Sequence, residues 1–301
     1  MYSKIIIPLD GSKTAEHVLP YARYLAKNLE TPVELLGVID IAELAAHIPA
    51  EHARSVDAIL EEACRRSLEY LRGVATSFPG TAVDCSIDRG RTEDVIIQKG
   101  EADTAALIAM ATHGRSGINR WLLGSIAEKV LRGTANPLLL IRATEGEKTT
   151  GEATLKSIIV PLDGSELAAS VLPMAAGLAK KLKLAVLLFR AYNLPANAYA
   201  GIDGYYVPDL DKLIPELRDE ASEYLEKKSA ELKRLGVQEV VCEVKEGLSA
   251  DQIIRLAREI PDNFVAMCSH GRSGVKRWAL GSVTETVVRH SGDPILIVRP
   301  G

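Results

Sequence analysis

The stretch Ile5-Ile-Ile-Pro-Leu-Asp-Gly-Ser12 returns as Ile158-Ile-Val-Pro-Leu-Asp-Gly-Ser165. Val18-Leu-Pro20 returns as Val171-Leu-Pro173 at the same offset. Further along, Gly90 matches Gly247, Asp94 matches Asp251 and Ile96-Ile97 match Ile253-Ile254, now at a slightly larger offset. Ala111-Thr-His-Gly-Arg-Ser-Gly117 with Gly124-Ser125 then matches Cys268-Ser-His-Gly-Arg-Ser-Gly274 with Gly281-Ser282. A repeat this long is a duplicated domain and not one turn of a solenoid. Whatever the chain folds into, it must therefore build twice. The expected boundaries are a first domain at 1–143, a linker at 144–153 and a second domain at 154–301. The linker is polar and has no apolar period. The extra length of the second copy falls at the aromatic segment Tyr199–Val207, a lid or a surface insertion.

Inside each copy, apolar runs alternate with helical periods. Lys4–Pro8 is short and β-branched, which predicts a buried strand. Val18, Ala22, Leu25, Ala26 and Leu29 then share a helix face, as do Val171, Ala175, Leu178, Ala179 and Leu182. Second strands are expected at Val33–Ile39 and Leu184–Arg190. Long helices are expected at Ala50–Thr76 and Asp209–Leu235, with Asp209 as a cap. Third strands follow at Ala82–Asp88 and Glu239–Lys245, and short helices start near Thr92 and Ser249, the latter with a capping box to Gln252. Fourth strands (Ala105–Met110, Asn263–Met267), helices from Ser125 and Ser282, and fifth strands (Leu138–Arg142, Ile295–Arg299) complete the pattern. The fold class is α/β: two tandem doubly wound domains, each a five-stranded parallel sheet with helices on both faces. With strand order 3-2-1-4-5, the winding reverses between strands one and four, where such sheets bind ligands. The two most strongly repeated stretches would then face one crevice.

The chemistry of those stretches suits a nucleotide. Gly114, Gly117 and Gly124, with Gly271, Gly274 and Gly281, are residues able to take positive φ and let backbone N–H groups approach an anion. A helix starting at Ser125 or Ser282 adds its dipole. Arg115 and Arg120, or Arg272, Lys276 and Arg277, supply positive charge. Ser125-x-x-Glu128 and Ser282-x-x-Glu285 also read as capping boxes. Asp10 and Asp163 repel phosphate but accept hydrogen bonds from ribose hydroxyls or an amino group. Alternatively each forms an Asx turn. Ser12 and Ser165, and the strand-end residues Pro8, Val38, Met110, Pro161, Ala191 and Met267, complete the candidate set. His113 and His270 suit loop hydrogen bonds, and Trp121 and Trp278 suit packing.

Composition narrows the classes. A net charge of -4 argues against a nucleic-acid binder. No apolar run is long enough for a membrane helix, and no signal-peptide pattern opens the sequence, so a cytoplasmic protein is expected. Cys64, Cys85, Cys242 and Cys268 lack disulfide or zinc spacing, and His47 and His52 lack a metal-ligand constellation. The P-loop, the G-x-G-x-x-G fingerprint, the serine nucleophile elbow and Asp-rich magnesium sites are all missing. The site is built to hold a nucleotide more than to consume it, with at most weak ATP hydrolysis.

Pro8-Leu-Asp-Gly-Ser12 paired with His113-Gly-Arg-Ser-Gly117 and Gly124-Ser125, and the same pairing at Pro161–Ser165, His270–Gly274 and Gly281-Ser282, resembles the universal stress protein family over nearly the whole chain. The resemblance implies the 3-2-1-4-5 sheet, a tandem member, and final strands that pair, here Leu138–Arg142 with Ile295–Arg299. It implies ATP or another adenine nucleotide as ligand, with or without magnesium, and a stress-response or regulatory role. A dimer of tandem chains is the expected assembly. The family's ATP-binding pattern G-x-x-G-x9-G-[ST] is matched at Gly114, Gly124 and Ser125 and at Gly271, Gly281 and Ser282. Its first glycine is Ala111 in one copy and Cys268 in the other, which makes the N-terminal site the better candidate. Members that bind no nucleotide and act by dimerisation are the alternative.

Overall fold

The computed structural model describes residues 1–46, 56–112, 123–143, 149–194, 210–269 and 280–299. The chain divides into two compact units: Met1–Thr154 together with Pro294–Arg299, and Leu155–Asp293.

The first unit opens with β1 (Ile5–Pro8), a 3-10 turn at Ala15–Val18 and α1 (Leu19–Leu29). It continues through β2 (Val33–Ile39), α2 (Ile41–Ala46), α3 (Val56–Ala75), β3 (Val83–Arg89), α4 (Thr92–Ala102), β4 (Leu107–Ala111), α5 (Ser125–Gly133) and β5 (Leu138–Ile141). The strands lie in the order β3-β2-β1-β4-β5, all parallel, as expected. Ile5, Ile6 and Ile7 are fully buried because helices cover both faces of the sheet. α1 buries Leu19, Ala22, Leu25 and Ala26 on one stripe, and Pro20 sits in its first turn, where no N–H partner is needed.

The second unit repeats this plan with β6 (Ser157–Pro161), α6 (Glu166–Ala169), α7 (Leu172–Leu182), β7 (Ala185–Tyr192), α8 (Leu210–Arg234), β8 (Val240–Glu246), α9 (Ser249–Glu259), β9 (Asn263–Cys268) and α10 (Ser282–His290). Its parallel order is β8-β7-β6-β9. The last strand of this repeat, β10 (Ile295–Val298), is grouped with the first unit and pairs antiparallel with β5. Arg299 fixes its end by donating from Nη2 to the carbonyls of Leu131 (2.7 Å) and Arg132 (2.6 Å).

Two details differ from expectation. The capping box at Ser249 is not formed: Leu248 is the N-cap of α9, and no side chain caps it. The short α2 and α6 carry no readable period, yet each has a cap. Asp40 Oδ1 accepts from the N–H groups of Ala42 (2.9 Å) and Glu43 (3.1 Å), and Ser165 Oγ accepts from that of Ala168 (3.1 Å). Asp209, expected to cap the long second-repeat helix, lies outside the described residues.

One buried charge cluster belongs to the first unit only. Glu34 on β2 is 6% exposed and accepts from Lys4 Nζ (2.7 Å), Lys99 Nζ (3.0 Å) and Ser86 Oγ (2.8 Å). Burial alone would push its carboxyl up, but those three donors outweigh it and hold the group at about 2. Glu34 is therefore more acidic folded than unfolded. Its stabilisation is complete above pH 4.5, its ordinary value, and is lost as the pH falls towards 2. In urea unfolding, Glu34→Gln is expected to be less stable than wild type by on the order of 2–3 kcal/mol at pH 7. That difference should close between pH 4.5 and 2. A gap independent of pH would reject the assignment. The second repeat carries Leu187 at the equivalent place, since Val33 and Val186 hold matching registers.

Candidate functional site

β1 lies between β2 and β4, so the chain leaves β1 beside the point where it leaves β4. β6 lies likewise between β7 and β9. After β1 comes Asp10-Gly11-Ser12, with Gly11 at φ 82°, a region that favours glycine. Asp10 Oδ1 accepts from Ser12 N (2.9 Å) and Ser12 Oγ (2.6 Å), and Ser12 Oγ accepts from Ala15 N (3.1 Å). The second copy reproduces this closely. Gly164 has φ 89°, Asp163 Oδ1 accepts from Ser165 N (2.9 Å) and Oγ (2.6 Å), and Ser165 caps α6. The Asx turn weighed from sequence is thus real in both repeats, and it fixes the direction of each carboxylate.

The glycine-rich segments are tied at their bases. Gly124 N donates to Thr112 O (2.8 Å), and Gly281 N to Ser269 O (2.9 Å). Their interiors lie outside the described residues. Gly114, Arg115, Gly117, Arg120, Gly271, Arg272, Gly274, Lys276 and Arg277 fall there, with His113, His270, Trp121 and Trp278. So do His47, His52 and Tyr199–Val207.

The exits from these segments correct two expectations. Gly124 and Gly281 have φ of −59° and −62°, ordinary values that do not demand glycine. The capping boxes are also absent. Glycine is the N-cap of α5 and α10, with no side-chain cap, and each serine sits one place further in. Glu128 Oε1 accepts from Arg132 Nη2 (3.1 Å), and Glu285 Oε1 from Arg289 Nη2 (3.0 Å). Ser125 and Ser282 are exposed at the positive ends of their helices.

In the second unit these parts enclose a cavity of about 390 Å³. Pro161 at the end of β6, Asp163 just after it, Ala191 on β7, Met267 on β9, and Gly281 and Ser282 at the start of α10 all line it. The volume suits one small ligand. Ser165 holds Asp163 from behind. Cys268, the last residue of β9, is also on the wall, 4% exposed, with Ser170 Oγ 3.6 Å from its Sγ. Thr284 Oγ1 donates to Cys268 O (3.0 Å), pinning the first turn of α10 to β9. In the first unit, Pro8, Asp10, Ser12, Val38, Met110, Gly124 and Ser125 hold the matching places on β1, β2, β4 and α5. Met110 is buried there, and Val38 pairs with Asp88 across β3.

Sequence reasoning missed a layer behind the aspartates. In the first unit Glu16 is 7% exposed and accepts from Tyr70 OH (3.2 Å) and Lys13 Nζ (2.8 Å). Burial, and then the carboxylates of Glu16 and Asp10, push the Tyr70 phenol up. In the second unit burial, then Glu166 and Asp163, push Tyr224 up to about 12, with Arg190 pulling the other way. The available signal was a lone charge in an apolar strand, Arg190 within Ala185–Tyr192. All four cysteines are free. Among the described residues no group of three or more His, Cys, Asp or Glu is placed to hold a metal.

A doubly wound domain made twice from one repeated sequence, with a ligand-sized crevice at the switch point of the second copy, defines a narrow class. The sequence model of the universal stress protein family matches residues 1–142 and again 154–299, and the chain belongs to that family. A universal stress protein of Methanocaldococcus jannaschii is 29% identical over 148 residues, 49% of this chain and 86% of its own. A second one from the same organism is 31% identical over 156 residues, 47% of this chain and 96% of its own. The crystal structure of a universal stress protein from Archaeoglobus fulgidus covers all of both chains, with a TM-score of 0.71 at 23% identity, a likeness of fold.

Proposed function

We propose that this chain is a cytoplasmic stress-response or regulatory protein that binds nucleotide in the switch-point crevice of each repeat. ATP is the first candidate among the adenine nucleotides. The observation that carries the reading is the second unit's cavity, walled at once by Asp163 and by Gly281 and Ser282 at the start of α10. A phosphate gains from the exposed N–H groups and dipole at that helix end. Asp10 or Asp163, held by its turn, accepts from ribose hydroxyls or the 6-amino group of adenine. Base and sugar then lie towards β1 and β2, or β6 and β7. Magnesium would accompany a triphosphate with solvent as its remaining ligands. Holding the nucleotide, with weak hydrolysis at most, is the role, in a dimer of tandem chains.

Calorimetry on the full chain with ATP, ADP and AMP tests this. Binding is expected in wild type, and Gly124→Val should remove the first site while leaving the fold largely intact, because φ at that position suits any residue. Absence of binding by all three nucleotides would overturn the function. Unchanged affinity at the first site in Gly124→Val would overturn the phosphate placement.

A further inference from the structure

The two crevices differ at one strand position. Pro8 pairs with Leu36 and Pro161 with Phe189, so the next residues, Gly37 and Arg190, are equivalent. Gly37 has no room for a side chain: a Cβ there would meet Ile87 Cδ1 and Ser67 Oγ, each at 2.6 Å. Arg190 lines the second unit's cavity with its side chain 9% exposed. Its Nη2 donates to Glu220 Oε1 (2.9 Å), and the guanidinium lies 5.1 Å from the centre of the Tyr224 ring. Among the described residues, Nε and Nη1 have no acceptor. The layer behind has changed with it. Ala169 stands where the first repeat has Glu16, and the Tyr224 hydroxyl is buried without a hydrogen-bond partner. A buried acid behind the first crevice has become a buried guanidinium in the second.

Nε and Nη1 of Arg190 are not among the buried orphaned atoms, so they meet solvent that a ligand's acceptors can replace. Glu220 already balances the charge of Arg190, so a neutral acceptor fits this wall better than a further anion. Neighbouring strands lie about 4.8 Å apart, so the end of β7 is about 10 Å from the exit of β9 into α10. A nucleotide with its phosphate at Ser282 reaches β7 with its base. Guanidinium pairs in two-pronged fashion with O6 and N7 of a 6-oxopurine, whereas the 6-amino group of adenine presents donors to donors. We infer that the second crevice, through Arg190, selects a nucleotide with a 6-oxopurine base, guanine or hypoxanthine, and uses Asp163 for the ribose hydroxyls, while the first, with Gly37 in place of the arginine, keeps adenine. This rests on the nucleotide reading of the crevice.

The test uses the full chain with Ser125→Asp, which disables the first site, and compares ITP with ATP by calorimetry. The two ligands differ only around position 6 of the base. The expected result is a preference for ITP of roughly 10- to 100-fold. Arg190→Gly, the first repeat's residue, should abolish it. Arg190→Lys keeps charge and stem packing but not the fork, and should reduce it. GTP should follow ITP. Equal affinity for ITP and ATP, or a preference unmoved by either Arg190 variant, would overturn the inference and leave nucleotide binding standing. If neither ligand binds the second site, the nucleotide reading of that site falls as well.

Discussion

Ser282→Asp is expected to lower nucleotide affinity at the second site by roughly 100-fold without weakening the protein, and Ser125→Asp to do the same at the first. Both serines are the first residues of their helices and both are exposed. An aspartate there meets the positive end of the helix dipole, which contributes about 0.3–1 kcal/mol to the fold. The same charge repels a phosphate seated on those N–H groups. A like charge at about 4 Å costs about 1 kcal/mol in water and about 4 kcal/mol near a partly buried surface. Stability and affinity therefore move in opposite directions, which no general loss of structure produces. Thermal unfolding with calorimetry on the same sample reads both. Equal affinity in wild type and variant would place the phosphate elsewhere.

Phe189→Ala should cost the second unit about 3–5 kcal/mol. Phe189 is 1% exposed and is among the largest fully buried side chains. It also lines the cavity, and its carbonyl accepts from Leu162 N (2.8 Å), one residue before the Asp163 turn. Its loss opens a void at the base of the crevice as well as removing apolar burial. Urea unfolding should show a transition at lower denaturant for the second unit while that of the first stays in place. A cost below about 1 kcal/mol would mean that the crevice wall closes over the gap.

Most of the fold was legible in the sequence because buried parallel strands are written as unbroken apolar runs. Val33–Ile39 reads as a strand to the residue, and the duplication checks each assignment against a second copy. Caps were less legible. A serine followed by glutamate three places on is a capping box only if the serine stops the helix. Here a glycine one residue earlier takes that place, and Arg132 and Arg289 engage the glutamates. The switch-point pairing of Asp163 with Gly281 followed from strand order. Arg190 with Glu220 and Tyr224 did not, because their meeting depends on which face of α8 lies over β7. The apolar stripe Ala221, Leu225 and Leu232 marks the buried face of α8, but not that Glu220 and Tyr224 beside it meet Arg190.

The position of β10 bears on how the chain is made. β5 presents a row of backbone N–H and C=O groups that β10 satisfies from the far side of the second repeat. During synthesis the first unit is translated long before that strand exists. Its sheet must wait with one open edge, the kind of edge that invites pairing with a neighbouring nascent chain. The first half to leave the ribosome is thus the later one to be sealed, and a chain cut short anywhere in the second repeat leaves a faultless first repeat exposed along β5.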